Sequence, residues 1–368
     1  MELDKRLVMP DYKNCIANIP NSVLKHFGVP PVGNTLPQMD RLLAEKDYRN
    51  VVLLLLDGMG TYILEESLAE GGFFRSHMQE SISSVFLATT VAATTSAISG
   101  LQPCEHSWLG WDCYYPSVDK NVTVFLNTIQ NTETPAADYN IARSVTPYES
   151  VVDKINKAGG QAYNAFPFMP PFPQTLEDIC GRIKALCAEE GKKYIYAYWN
   201  EPDNLIHSKG RRSEEVISLL RDMESLVEKT ASALEDTLLI ITADHGHMNN
   251  RRVYLKDYPE IEDCLVRNPS LEPRALNLFV KPGREREFEE RFNEAFGRDF
   301  VLITMEQALD MKLFGTGKEH AAFRSMLGNY LAIAAADLSI YFTDEYLLSM
   351  HGSLTPDEMK IPFIVCGQ

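Results

Sequence analysis

"VVLLLLDGMG", residues 51–60, sets six aliphatic residues in a row ahead of an acid and two glycines that flank a methionine. Six consecutive apolar side chains cannot alternate between core and solvent. The run therefore reads as a strand buried on both faces, as in a parallel sheet covered by helices. A carboxylate at the end of such a strand is costly unless something pairs with it. Taken alone, Asp57 suits a helix cap or a turn beside Gly58 and Gly60.

Two more buried strand patterns end the same way. "YIYAYWNEPDNLIH" (194–207) supplies Asp203 and His207, and "LLIITADHGH" (238–247) supplies Asp244 and His245, with His247 as a further candidate. His351 stands in "MHGSLTPDEMKIPF" (350–363), just before the last apolar run. In open α/β sheets, ligands bind beyond the carboxyl ends of the strands, so these residues are expected at one rim. Each has an ordinary explanation by itself. Asp203 and His207 have the spacing of a helix-surface pair, Asp244 can cap a helix, and His351 can be a loop histidine. Three acids and three histidines at one sheet edge are better explained together, as a metal site. Carboxylate with imidazole suits Zn²⁺, with Mn²⁺ as the second choice.

The remaining pattern alternates strands and helices, which implies an α/β fold with a doubly wound, mostly parallel sheet flanked by helices. Short helices are expected near "NSVLKHFGV" and "MDRLLAEK" in an N-terminal arm, and longer ones at about 148–158, 176–190 and 213–235. "SISSVFLA" (81–88) reads as a second strand, and residues 104–147 as irregular. From 272 the chain reads as strand, charged helix and strand, a small α+β subdomain. The expected division is a core of residues 1–250 plus 328–368 with residues 251–327 inserted. "YLAIAAADLSIYF" (330–342) and "IPFIVCGQ" (361–368) are expected to return to the core sheet.

The chain has 368 residues and a net charge of −16. That charge argues against nucleic-acid polymers and anionic membrane surfaces as partners. A small anionic substrate remains compatible, because bound cations reverse the local field. The seven cysteines, at 15, 104, 113, 180, 187, 264 and 366, form no CxxC pair. With no signal-like apolar segment and no membrane-length run, they read as reduced thiols of a cytoplasmic protein.

"FLATTVAATTSAISG" (86–100) sits where a helix should begin, yet has few strong helix formers besides alanine. Thr94, Thr95 and Ser96 suit a buried helix whose hydroxyls bond carbonyls one turn back. A threonine at the helix start is different, because backbone N–H groups there favour an anion. A hydroxyl that also meets a cation becomes a nucleophile. Position alone leaves Thr89 and Thr90 tied.

These residues, in this order, resemble the alkaline phosphatase superfamily, and most nearly its type I phosphodiesterase / nucleotide pyrophosphatase branch. In that branch the nucleophile lies four residues after a Phe and precedes a T/S-G pair. Phe86 and Ser99–Gly100 frame it here, and the resemblance selects Thr90. "EPDNLIH" matches E-P-D-x-x-x-H, "ADHG" matches S/A-D-H-G, and "MHGSL" supplies the late histidine. The resemblance implies two divalent ions: one held by Asp203, His207 and His351, the other by Asp57, Asp244, His245 and Thr90. It implies hydrolysis of a phosphodiester or pyrophosphate through a covalent threonine intermediate, on a small phosphate-ester or nucleotide substrate. The aromatic stretch "SWLGWDCYY" offers Trp108, Trp111 and Tyr114 as substrate-stacking residues, or as loop packing. One position departs from the branch: Ala93 stands where it usually has an Asn that contacts the phosphoryl oxygen.

Rival readings differ in what they require. A sulfatase needs a Cys or Ser opening C/S-x-P-x-R, and none of the cysteines begins one. A phosphomonoesterase or phosphomutase needs a strong cationic donor beside the nucleophile, and no Lys or Arg occurs from Ser76 to Asp119. Arg274 or Arg324 would have to reach in. A non-catalytic metal-binding protein that kept the fold would not need an intact nucleophile.

Overall fold

The aliphatic run forms the strand Asn50–Leu56, buried along its whole length. It lies inside a six-stranded sheet and pairs in parallel with Lys193–Trp199 on one side and Thr237–Thr242 on the other. Gln161–Ala165 continues the parallel array beyond Lys193–Trp199. Lys360–Gly367 runs antiparallel beside Thr237–Thr242, and Met78–Ser83 lies outside it at the edge. The fold is thus a mostly parallel α/β sheet flanked by helices, seen in a computed structural model that describes residues 4–342 and 347–367.

The flanking helices follow the apolar spacing. Glu214–Ala231 buries Val216, Leu220, Met223 and Val227, three to four residues apart. Each such side chain contributes roughly 1.5–3 kcal/mol when fully buried. Ser213 caps the helix by accepting from the Val216 N–H, with Glu214 and Glu215 in the first turn. That arrangement satisfies an orphan donor and suits the helix dipole. Helices Asn18–His26 and Pro37–Glu45 pack Ile19, Val23, Leu24, Met39 and Leu43 into the same core.

The second layer departs from the sequence expectation. A seven-stranded antiparallel sheet runs, in spatial order, 300–304, 330–334, 275–278, 270–272, 112–115, 120–123 and 128–129. Two corrections follow. Residues 104–147 are not irregular, for they supply three short strands. Tyr330–Ala334 joins this sheet rather than the core sheet, so the 251–327 segment does not build its layer alone. The physical reason is edge pairing: Ser270–Glu272 would be left open if Asp112–Tyr115 did not lie against it, and open edges are a liability. Helix Glu285–Phe296 covers the layer with Phe288, Phe292 and Phe296, four residues apart. The expected strand at 81–88 also ends early, at Ser83, and Phe86 lies in the loop beyond it.

Candidate metal centre and active site

Three core strands deliver three acids to one rim. Asp57 follows Leu56 directly, Asp244 comes two residues after Thr242, and Asp203 opens the helix Asp203–Lys209 after Trp199. All three carboxylates are buried. Asp57 accepts the Tyr198 hydroxyl on Oδ2. Asp244 Oδ1 accepts the N–H groups of Gly58 and His245, each at 3.0 Å, while its Oδ2 is buried with no hydrogen-bond partner among the described residues.

The histidines converge on the same place. His245 Nε2 lies 3.4 Å from Asp57 Oδ1 and 3.5 Å from Asp244 Oδ2. Around Asp203 Oδ1 stand Nε2 of His247 at 2.8 Å, of His207 at 3.3 Å and of His351 at 3.7 Å. The rings of His245 and His351 stack at 3.7 Å and join the two clusters. Ligand atoms of Asp57, Asp244 and His245 lie within 4.8 Å of one another, as do those of Asp203, His245 and His351, and of Asp203, His207 and His247.

Thr90 is the first residue of helix Thr90–Ser99, with Thr89 extended ahead of it. Its Oγ1 lies 3.2 Å from His245 Nε2 and 3.5 Å from Asp57 Oδ1. Thr89 turns away and donates to Glu272 Oε1 at 2.6 Å. The two threonines tied in the sequence are therefore distinct in space. Thr94 bonds back to the Thr90 carbonyl as expected, but Ser96 faces His106 instead. Gly100 closes the helix at φ +77°, a conformation that favours glycine.

Electrostatics explain why cations belong here. Burial pushes the Asp57 carboxyl well above its usual range, and the charges of Asp244 and Asp203 push it further. Burial acts on Asp203 in the same direction, yet His207, His247 and His351 outweigh it and hold that carboxylate well below its usual range. A cavity of about 390 Å³ opens on Asp57, Thr90, Asp203, His207 and His351, and no Lys or Arg is among the described residues lining it. Three buried acids with no Lys or Arg among the described residues of the cavity, one with an oxygen that accepts no hydrogen bond from them, fit divalent ions. The mixed carboxylate and imidazole donors suit Zn²⁺ or Mn²⁺.

Several sequence candidates are relocated. Trp111 lines the cavity mouth and is 41% exposed. Trp108 is not among the residues lining the cavity. It is buried, its indole N–H donates to the Thr146 carbonyl, and it packs on Tyr148. Tyr114 is likewise engaged elsewhere, between Phe279 and the Arg267 guanidinium. Arg274 does not reach in, being fully buried in a two-point ion pair with Glu358 and donating to the Leu338 and Ala336 carbonyls. Arg324 pairs with Glu319 at the surface. Ala93 is buried in the helix and offers nothing to the cavity.

Other cavity residues went unread in the sequence. Tyr198 sits at the end of a strand pattern with no outward sign of its role. Asn200 and Asn204 line the cavity beside Phe125 and Phe168. Glu272 is buried, accepts the Trp111 N–H as well as the Thr89 hydroxyl, and is pushed up to about 8 by burial.

Residues 51–295 match the profile of the type I phosphodiesterase / nucleotide pyrophosphatase family. Murine ectonucleotide pyrophosphatase / phosphodiesterase 5, solved as an inactive variant in complex with AMP, superposes with a TM-score of 0.67 at 16% identity, covering 86% of this chain and 87% of that one. The human counterpart gives a TM-score of 0.64 at 20% identity, with 86% and 87% covered. Phosphonoacetate hydrolase from Sinorhizobium meliloti, in complex with phosphonoformate, gives 0.62 at 14% identity, with 87% and 90% covered. No curated protein matches by sequence. Among the described residues, no helix is long and apolar enough to cross a membrane.

Proposed function

The chain belongs to the type I phosphodiesterase / nucleotide pyrophosphatase family, metal-dependent hydrolases of phosphate ester bonds, and on that premise we propose that it cleaves a small phosphodiester or nucleotide pyrophosphate through Thr90. The observation that carries this reading is the Thr90 hydroxyl, 3.2 Å from His245 Nε2 on a cavity whose described lining includes no Lys or Arg.

Asp57, Asp244, His245 and Thr90 would hold one divalent ion, and Asp203, His207 and His351 the other, with Zn²⁺ the better fit and Mn²⁺ the second. When bound, such a pair stabilises the attacking and leaving oxygens of an in-line displacement. The chain's own groups do the rest. The Thr90 oxygen attacks phosphorus as its proton passes to solvent; the bond from phosphorus to the leaving oxygen breaks, that oxygen departs with a proton taken from solvent, and an ester is left on Thr90. Water then displaces Thr90 and restores its hydroxyl. The helix N-terminus at Thr90 directs unpaired N–H groups at the phosphoryl anion. With Ala93 in place of the usual amide, Asn200 and Asn204 are the side chains able to donate to a nonbridging oxygen.

Substrate choice is read from the walls. Trp111, Phe125, Phe168 and Tyr198 make the cavity aromatic, which suits an aromatic or nucleoside substituent. AMP bound by the murine relative is consistent with that class. A screen of nucleoside diesters, pyrophosphates, phosphonates and monoesters with added Zn²⁺ or Mn²⁺ tests the reading, which fails if none is turned over. We also place the protein in the cytoplasm, on the support of Cys15, Cys104, Cys113, Cys180, Cys187 and Cys264, which are buried as free thiols.

A further inference from the structure

Three of the four clustered histidines are tied alike. His207 Nδ1 lies 2.7 Å from the Ser349 carbonyl, His245 Nδ1 3.1 Å from the Gly246 carbonyl, and His351 Nδ1 3.2 Å from the Ala88 carbonyl. A carbonyl only accepts, so each Nδ1 carries the proton and each Nε2 keeps its lone pair. That is the tautomer a metal ligand needs. His247 is different. Its Nδ1 is buried with no partner among the described residues, while its Nε2 lies 2.8 Å from Asp203 Oδ1. A carboxylate also only accepts, so here the proton sits on Nε2. The alternative tautomer would orphan a buried N–H and set a lone pair against Asp203, which is the costlier arrangement.

We propose that His247 is a positioning residue of the metal centre and not a ligand: it donates Nε2–H to Asp203 Oδ1 and fixes the carboxylate where His207 and His351 meet it. The surroundings are built for this contact. Gly58 has φ +72°, and a Cβ there would stand 2.8 Å from His247 Nε2 and 3.0 Å from the Asp203 Cβ. The glycine after Asp57 thus keeps the space in which the two side chains meet. The Arg211 guanidinium donates to the His247 carbonyl at 2.8 Å and is itself paired with Glu66 and Asp357. His247 is thereby held at its backbone as well as at its ring. Partners of this kind are worth tenfold to a hundredfold in metal affinity when removed.

The inference rests on the proposal that Asp203 is a metal ligand, and the experiment separates the two. Metal-free wild type, His247→Ala and His247→Gln are titrated with Zn²⁺ against a chromophoric chelator, and X-ray absorption of the zinc-loaded forms counts histidine ligands. Circular dichroism checks that each is folded. We expect His247→Ala to weaken one ion tenfold to a hundredfold with an unchanged histidine count. His247→Gln, whose amide N–H can replace the Nε2 donor, should recover most of that loss. A drop in the histidine count, wild-type affinity in His247→Ala, or no recovery in His247→Gln overturns the inference and leaves the two-ion reading standing. Failure of wild type to bind any Zn²⁺ overturns both.

Discussion

The Thr90 hydroxyl stands 3.2 Å from Nε2 of His245, while the adjacent Thr89 hydroxyl donates to Glu272 Oε1, on the wall of the same cavity but away from the histidines. This separation assigns different consequences to neighbouring substitutions. Thr90→Ala should abolish turnover with the fold and at least one ion retained, and Thr90→Ser should keep measurable activity. Thr89→Ala should cost about 1 kcal/mol of stability for a lost hydrogen bond and leave turnover within an order of magnitude. Steady-state rates and urea melts of the three variants check this. The reverse pattern would move the nucleophile to Thr89.

Metal content follows from the acids. Protein purified without chelator should contain Zn or Mn near two per chain by elemental analysis. Asp203→Ala should lose one ion and nearly all activity. Chelation should lower the melting temperature, because ions that bind only the folded state stabilise it and their removal leaves Asp57, Asp203 and Asp244 facing one another. An unchanged melting temperature and no activation by added metal would contradict the site.

The two tryptophans should separate cleanly. Trp108→Ala empties a buried site and should cost roughly 3–5 kcal/mol, with loss of activity only where the fold is lost. Trp111→Ala, at the exposed cavity mouth, should change stability little and raise KM for aromatic diesters more than for small aliphatic ones. Denaturant melts and KM values for the two substrate types provide the check.

Glu272 gives a pH dependence with a defined sign in the metal-free protein. Burial raises its folded pKa from 4.5 to about 8. Its stability contribution is therefore fully present below about 4.5 and is lost as pH rises through about 8. Glu272→Gln keeps the acceptor for Thr89 and Trp111 but cannot ionise. It should match wild type near pH 4.5 and be more stable by on the order of a few kcal/mol near pH 9. Parallel melting curves at both pH values would contradict the burial argument.

Asp57, Asp203 and Asp244 are legible in the sequence because each interrupts or follows an apolar run too long to alternate. A buried strand ending in a charge is an anomaly that only a partner explains. Tyr198 is not legible by that route: in Lys193–Trp199 the side chains of Tyr194, Tyr196 and Tyr198 share one face, so nothing marks which of them turns its hydroxyl to Asp57. Glu272 and Trp111 meet only through pairing of Leu271 with Asp112, a contact between strands far apart in the chain. The second sheet was hidden for a related reason. Its strands at 112–115, 120–123 and 128–129 are four residues or shorter, too brief for a period to show. Tyr330–Ala334 pairs in the antiparallel sheet, and its sequence does not say so because buried strands of either sheet look alike in composition.

A cavity with no Lys or Arg among its described lining residues suits diesters and pyrophosphates. A monoester brings an additional negative charge to the nucleophile, and the guanidinium that would meet it well is absent from the described cavity lining, with Arg274 committed to Glu358. The most direct measurement compares kcat/KM for an aryl phosphodiester and its matched aryl monoester under the same Zn²⁺ or Mn²⁺ conditions. The diester should be the better substrate. A tenfold advantage for the monoester, about 1.4 kcal/mol of transition-state preference, would contradict it and make the enzyme a phosphomonoesterase.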